Sequence, residues 1–220
     1  MATAVVTGAN RGIGLELCRQ LAARGDDVIA ACRRPSKELA ELGVRVEQGV
    51  DVSDDASVAA FAGRLGDARV DLLVNNAGIL SHETLQDLDF GRIRSELEIN
   101  ALGPLRVTSA LLPRMPRGSK IGLITSLMGS MADNGSGGSY GYRMSKAALN
   151  AAGVSLARDL APRGIAVAIL HPGYVATDMT GHRGSVTPPD SARALLARLG
   201  ELTLETSGRF LRATGEPLPW

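Results

Sequence analysis

Tyr142 and Lys146 stand four residues apart in Tyr142-Arg143-Met144-Ser145-Lys146, and on a helix that spacing puts both side chains on one face. A free phenol titrates near about 10, too high to exchange protons readily at neutral pH. A nearby ammonium favours the phenolate and is expected to pull the Tyr142 value down toward the working range, which suits a general acid or base. The competing reading of such a pair is a helix-surface tyrosine beside a solvated lysine. Tyr140 is a decoy, because the residue four places on is Met144. A second constellation is Thr7-Gly8-Ala9-Asn10-Arg11-Gly12-Ile13-Gly14. Its spacing, G-x-x-x-G-x-G, differs from the dinucleotide fingerprint G-x-G-x-x-G. The physics is shared: glycines permit a tight turn and let a pyrophosphate approach backbone amides at a helix N-terminus. A third is Asn100-Ala101-Leu102-Gly103-Pro104. In a helix Pro104 has no N–H for the carbonyl of Asn100, which leaves a kink and a carbonyl able to hold an ordered water. A proline kink that serves only packing is the alternative.

Chemistry at these positions needs elements to hold it. Short apolar runs at Thr3–Thr7, Val28–Cys32, Val44–Gln48, Asp71–Asn75, Lys120–Ser126 and Ala166–His171 read as buried strands, with a last one near Gly208–Arg212. Helical patterns lie between them at Gly12–Arg24, Ser36–Leu42, Asp54–Leu65, Phe90–Leu112, Tyr140–Leu160 and Pro189–Gly200. In the first, Ile13, Leu17 and Leu21 share a face. Strands alternating with helices predict an α/β protein, a single-domain Rossmann fold over residues 1–220 with a doubly wound parallel sheet and helices on both faces. Ligands of such sheets sit at the carboxyl ends of the strands, where these motifs fall.

The motifs together resemble the short-chain dehydrogenase/reductase family. Thr7–Gly14 is similar to its glycine loop, Asn75-Asn76-Ala77-Gly78 to its N-N-A-G segment and Tyr142–Lys146 to its Y-x-x-x-K element. Pro172-Gly173-Tyr174-Val175 with Thr177 resembles its P-G-x-V-x-T segment, and Ser126 ends a strand where the family keeps a serine. These elements occur in family order over nearly the whole chain. The resemblance implies a hydride transfer between a nicotinamide cofactor and a small carbonyl or alcohol. Tyr142 would act as acid in reduction and base in oxidation, and Lys146 would also reach the nicotinamide ribose. Asn100 would anchor a water in a proton relay from Lys146. Gly8, Asn10, Arg11, Gly12, Ile13, Gly14, Asn76, Ala77, Gly78, Pro172, Gly173, Val175 and Thr177 would line the cofactor. The Ser126 hydroxyl, which can donate and accept, would hold the substrate oxygen beside Tyr142. Ser126 lies sixteen residues before Tyr142, a longer gap than the resemblance suggests, with the extra length expected in Asp133–Ser139. Thr125 and Ser130 stay open as substitutes.

Cofactor preference is read after the second strand. NAD-preferring relatives carry an acidic residue there for the ribose hydroxyls, whereas this chain has Cys32-Arg33-Arg34, with Arg11 inside the glycine loop. Guanidinium groups without a carboxylate suit a 2′-phosphate, so NADP(H) is expected, with NAD(H) possible; solvated surface arginines are the alternative. Asp51-Val52 resembles the pair bordering adenine, with a helix cap at Asp51 or Ser53 as its rival.

Composition narrows the rest. The chain has 220 residues and a formal net charge of +1, with 3% aromatics, so neither a basic footprint nor stacking platforms for nucleic acid are expected. Cys18 and Cys32 fit core positions better than a disulfide or zinc site. No leader or membrane span is visible, and His82-Glu83 does not continue into a metal-binding H-E-x-x-H, so a cytoplasmic, metal-free protein is expected. The short stretch Asp178–Pro188 predicts a small lid and an open site. Asn100–Thr108, Tyr142–Leu149 and Gly208–Trp220 resemble C-factor and sniffer-type carbonyl reductases. C-factor proteins are associated with bacterial intercellular signalling, so a nucleotide-binding signalling protein is the second hypothesis. The complete Ser126, Tyr142, Lys146 set favours an enzyme. An extended epimerase or dehydratase needs a substrate domain, for which too little follows Asp178. The family's habit implies a homodimer or homotetramer.

Overall fold

The computed structural model describes residues 1–220. Seven strands form one sheet: β1 (Thr3–Thr7), β2 (Asp27–Cys32), β3 (Arg45–Gln48), β4 (Leu72–Asn75), β5 (Lys120–Ile124), β6 (Ala166–His171) and β7 (Phe210–Arg212). Every neighbouring pair is parallel, in the order β3-β2-β1-β4-β5-β6-β7. The chain thus builds outward from β1 in one direction and then crosses to β4 on its other side. That reversal is a doubly wound sheet with its switch point between β1 and β4.

Alternation along the strands divides the core in two. Val5, Leu73 and Ile121 face one apolar layer with Val58 and Phe61 of α3 (Asp55–Arg64), Val107 and Leu111 of α5 (Gly103–Leu111), and Leu149 and Leu160 of α6 (Tyr140–Leu160). Their neighbours Ala4, Val6, Leu72 and Val74 face the other layer. There they meet Leu17 and Leu21 of α1 (Gly12–Ala23), Leu39 of α2 (Lys37–Ala40), and Leu195 and Leu199 of α7 (Pro188–Glu201). Cys18 and Cys32 belong to this second layer, and burial pushes the Cys18 thiol up to about 12. No helix is long and apolar enough to cross a membrane.

One expectation is corrected. The pattern over Phe90–Leu112 suggested a single kinked helix, but the chain forms α4 (Phe90–Leu97), a π-helical turn at Glu98–Leu102 and then α5. The Gly103 N–H donates to the carbonyl of Glu98, five residues back. Pro104 has no N–H to keep the four-residue register with Asn100, and widening the turn is one way a helix absorbs that loss. Smaller shifts at element ends follow local chemistry: Asp54, not Asp51 or Ser53, caps α3 by accepting from the Ser57 N–H.

Candidate active site

The glycine turn closes against the switch point. Gly8 sits at φ +65°, and a Cβ there would stand 2.8 Å from Ala77 Cα. A Cβ on Gly14 would collide with the Gly8 carbonyl and the Asn76 side chain. Gly12 is at φ +54°, and a Cβ there would stand 3.2 Å from the Thr177 methyl. Arg11 occupies the N-cap of α1 in an extended conformation without a capping side chain, and the first turn carries no acidic residue. The opening amides of α1 are therefore left for an anion.

Thr7, which opens the glycine motif but was given no role of its own, ties this turn to the Asn76–Gly78 segment. Its Oγ1 accepts from the N–H groups of Asn76 (3.0 Å) and Ala77 (3.1 Å). Asn76 Nδ2 returns bonds to the carbonyls of Thr7 (3.0 Å) and Gly8 (3.2 Å). The only hint available beforehand was a hydroxyl at the carboxyl end of an otherwise apolar strand. On the far side, Gly173 (φ +92°) and Val175 belong to a returning loop in which Val175 bridges to Val186. The Pro172 carbonyl accepts from Ser191 of α7. Thr177 opens a short turn closed by reciprocal bonds with Thr180.

Tyr142 and Lys146 lie on α6 and are both buried, with the lysine Nζ 5.7 Å from the phenol ring centre. Lys146 Nζ donates to the Ile124 carbonyl at 2.9 Å, at the end of β5. Burial pushes its pKa down to about 8, against the opposing pull of Glu96. The expectation for Tyr142 is reversed here: burial pushes the phenol up to about 12, Ser126 opposes the rise and Glu96 adds to it. Desolvation is the largest influence on the phenol, and it favours the protonated form.

Ser126 is brought to Tyr142 by the end of β5, and its Oγ also accepts from the Met128 N–H at 3.1 Å. The two alternative hydroxyls are engaged elsewhere. Thr125 donates to Asn150 Oδ1 at 2.7 Å, and Ser130 accepts from the Asp133 N–H at 3.1 Å. The Asn100 side chain, fully buried, pins the next loop: Nδ2 donates to the Ile79 carbonyl (2.9 Å) and Ser145 Oγ (3.0 Å), while Oδ1 accepts from the Ile79 N–H (2.8 Å). Ser145, also missed from sequence, passes the contact on by donating to the Tyr142 carbonyl at 2.9 Å. A Cβ on Gly78 would stand 3.1 Å from Asn100 Oδ1 and 3.7 Å from Lys146 Nζ, so this segment packs directly on both.

The outer residues behave less uniformly. Arg33 and Arg34 are exposed at the end of β2. Asp51, beyond β3, accepts from the Ser53 N–H (3.0 Å) and hydroxyl (2.6 Å), which with Arg33 hold its carboxyl below the usual range. Val52 is buried against Gly103. Arg11 departs from the expected grouping with Arg33. It pairs with Asp178 at 3.0 Å, and Asp178 also meets His182 Nε2 at 3.0 Å. Sequence reading placed no carboxylate beside Arg11 because its partner is 167 residues away. His171 is buried beside Arg212 with Nδ1 unpaired, and burial pushes its pKa down to about 4.

A parallel sheet in this order, with a glycine turn locked onto its switch point, defines a Rossmann-type protein. Within that class the chain belongs to the short-chain dehydrogenase family of oxidoreductases, whose model matches residues 2–186. It is 44% identical over the full length of both chains to 1-hydroxy-2-glutathionyl-2-methyl-3-butene dehydrogenase of Rhodococcus sp. strain AD45. It is 46% identical to the C-signal protein of Myxococcus xanthus, over 73% of this chain and 99% of that one. Among solved structures it resembles an NADPH-bound carbonyl reductase from chicken fatty liver. That likeness has a TM-score of 0.91 at 31% identity and covers 100% of this chain and 99% of the other.

Proposed function

We propose that residues 1–220 act as one nucleotide-binding domain that reduces an aldehyde or ketone with NADPH, or runs the reverse oxidation. The observation that carries this reading is the placement of Tyr142, buried beside Ser126 and Lys146 at the carboxyl ends of the strands. The cradle fits a dinucleotide: Gly14 leaves no room for a side chain, and the α1 amides have no capping group. Arg33 and Arg34, which enter no ion pair, suit a 2′-phosphate. The chicken-liver enzyme's NADPH points the same way. NADPH supplies the hydride when bound, and the chain's residues manage the proton. Ser126 would donate to the substrate oxygen and hold it within reach of Tyr142, which gives up its proton as negative charge develops on that oxygen. Lys146 would bind the ribose and stabilise the phenolate left behind. Asn100 fixes the Gly78–Ile79 segment and the Tyr142 backbone through Ser145, and its main-chain carbonyl would hold the water that returns the proton. Gly8, Asn10, Gly12, Ile13, Asn76, Ala77, Gly78, Asp51 and Val52 would line the nucleotide on one side, and Pro172, Gly173, Val175 and Thr177 on the other. Arg11 would serve from its pair with Asp178. We further propose a cytoplasmic homodimer or homotetramer.

The test is oxidation of NADPH by a panel of aldehydes, ketones and diketones. Run in reverse, it includes hydroxy compounds bearing a glutathionyl group, the class in the Rhodococcus relative's name. Turnover should fall about a hundredfold or more in Tyr142→Phe while NADPH still binds. The likeness to C-signal favours a second reading, a nucleotide-binding signalling protein. Tight NADPH binding without turnover of any panel compound would decide for it.

A further inference from the structure

The helix that carries Tyr142 begins without a cap of its own. Ser139, the residue before α6, sits in the left-handed region at φ +48° and makes no side-chain capping bond. That conformation is uncommon for a residue with a Cβ. The start of the helix is held instead from a distant loop. Glu83, 2% exposed, reaches in from the segment after β4. Its Oε2 accepts from the Gly141 N–H at 3.2 Å, and its main-chain carbonyl accepts from the Ser139 N–H at 2.8 Å. The Ser81 hydroxyl donates to Glu83 Oε1 and so fixes the other oxygen of the carboxyl. Glu96 of α4 holds Ser81 in turn, accepting from its N–H at 2.6 Å. Gly141 packs so closely on α4 that a Cβ there would collide with Glu96 Oε2 and stand 2.9 Å from Ile93 Cα.

The other end of the same loop also returns to α6. Ile79 is held by the Asn100 side chain, Asn100 donates to Ser145 Oγ, and Ser145 donates to the Tyr142 carbonyl. Residues 79–83 thus form a bracket with one foot on the amide before Tyr142 and the other on the carbonyl of Tyr142 itself. We propose that Glu83 is a positioning residue for the Tyr142 phenol. Its carboxyl closes the bracket and sets where the first turn of α6 stands against Gly78, beside which Asn100 and Lys146 are packed. A carboxyl is a costly group to bury. An apolar side chain in its place would fill the space without fixing the Gly141 amide, because apolar packing is non-directional. Precision matters at this point: a reacting group misplaced by about 1 Å can lose about a hundredfold in rate. In its bearing on the reaction the inference rests on the reductase reading.

The test compares Glu83→Gln, Glu83→Asp and Glu83→Ala in the full chain. Glutamine keeps an oxygen for the Gly141 N–H at the same reach, aspartate withdraws the carboxyl by one methylene, and alanine removes it. Turnover of the carbonyl panel should fall about tenfold or more in the aspartate and alanine variants, through kcat and at unchanged NADPH affinity, and glutamine should restore it. In a Tyr142→Phe background the alanine change should cost nothing further, because it acts through that phenol. A second readout needs neither cofactor nor substrate. With Tyr140→Phe and Tyr174→Phe, Tyr142 is the only tyrosine, and 3-fluorotyrosine labels it alone. Its fluorine resonance should hold its place in the glutamine variant and shift or broaden in the other two. Circular dichroism checks the fold of each, and aspartate against glutamine decides the matter if alanine does not fold. An unmoved resonance in the folded aspartate and alanine variants overturns the proposal. So do equal losses in all three variants, or an alanine loss that persists undiminished beside Tyr142→Phe. Absence of turnover in the wild type would sink the reductase reading, while the fluorine resonance would still decide whether Glu83 holds Tyr142 in place.

Discussion

Thr7→Val should destabilise the protein although it exchanges a hydroxyl for a methyl in the middle of a buried sheet. Thr7 is 1% exposed, at the carboxyl end of β1, and a valine there has the same shape, greater apolarity and an equal liking for strands. Apolar burial alone would make the change neutral or favourable. The hydrogen bonds oppose it. Oγ1 accepts from two N–H groups, at 3.0 and 3.1 Å, in the segment on which the glycine turn rests. An N–H buried without an acceptor costs about 1–3 kcal/mol. Asn76 and Ala77 are only partly buried, so the two together should cost about 2–4 kcal/mol. For a chain of this size that is a fall in Tm of roughly 4–16 °C. Thr7→Ser supplies the control, because it keeps the oxygen and loses one buried methyl, for about 1 kcal/mol. Urea unfolding of the three proteins, at unchanged m-value, reads the difference directly. The expected order of stability is wild type, then Thr7→Ser, then Thr7→Val. A valine variant as stable as the serine variant would refute the argument that these two bonds hold the switch point.

His171 has its folded pKa depressed to about 4 by burial, so between there and its unfolded value near about 6.5 the unfolded chain binds more protons. Stability should fall as pH drops through that window, by about 3 kcal/mol in all. His171→Leu should flatten that slope in urea unfolding at successive pH values, and an unchanged slope would place the acid sensitivity elsewhere. Arg33→Ala should weaken NADPH binding about tenfold or more, the scale of a lost charge-assisted bond, and leave NADH binding unchanged. Equal losses for both cofactors in fluorescence titrations would remove Arg33 from the 2′-phosphate site.

Much of this architecture can be read along the chain because it depends on local periodicity. Apolar runs of strand length alternating with amphipathic helices specify a doubly wound sheet. The glycines near its first turn mark where backbone must come close, and Gly8 and Gly14 do stand where a side chain would meet backbone. The Tyr142–Lys146 spacing puts two groups on one face of α6 whatever surrounds them. The missing N–H of Pro104 announces a disturbed helix, although only packing determines that the answer is a π turn and not a kink.

What remained hidden depends on distance in space, not along the chain. Thr7 meets Asn76 across 69 residues, and Arg11 meets Asp178 across 167. No pattern of apolar and polar residues encodes such pairs. Glu83 read only as part of a metal motif that does not continue, and nothing along the chain marked Glu96, yet folding buries both beside α6. The direction of the Tyr142 shift has the same origin. A neighbouring lysine can be counted from sequence, but desolvation is a property of everything packed around the phenol. It exists only once β5, α4 and α6 have closed over the ring, and there it raises the phenol's pKa, where the spacing to Lys146 suggested a fall.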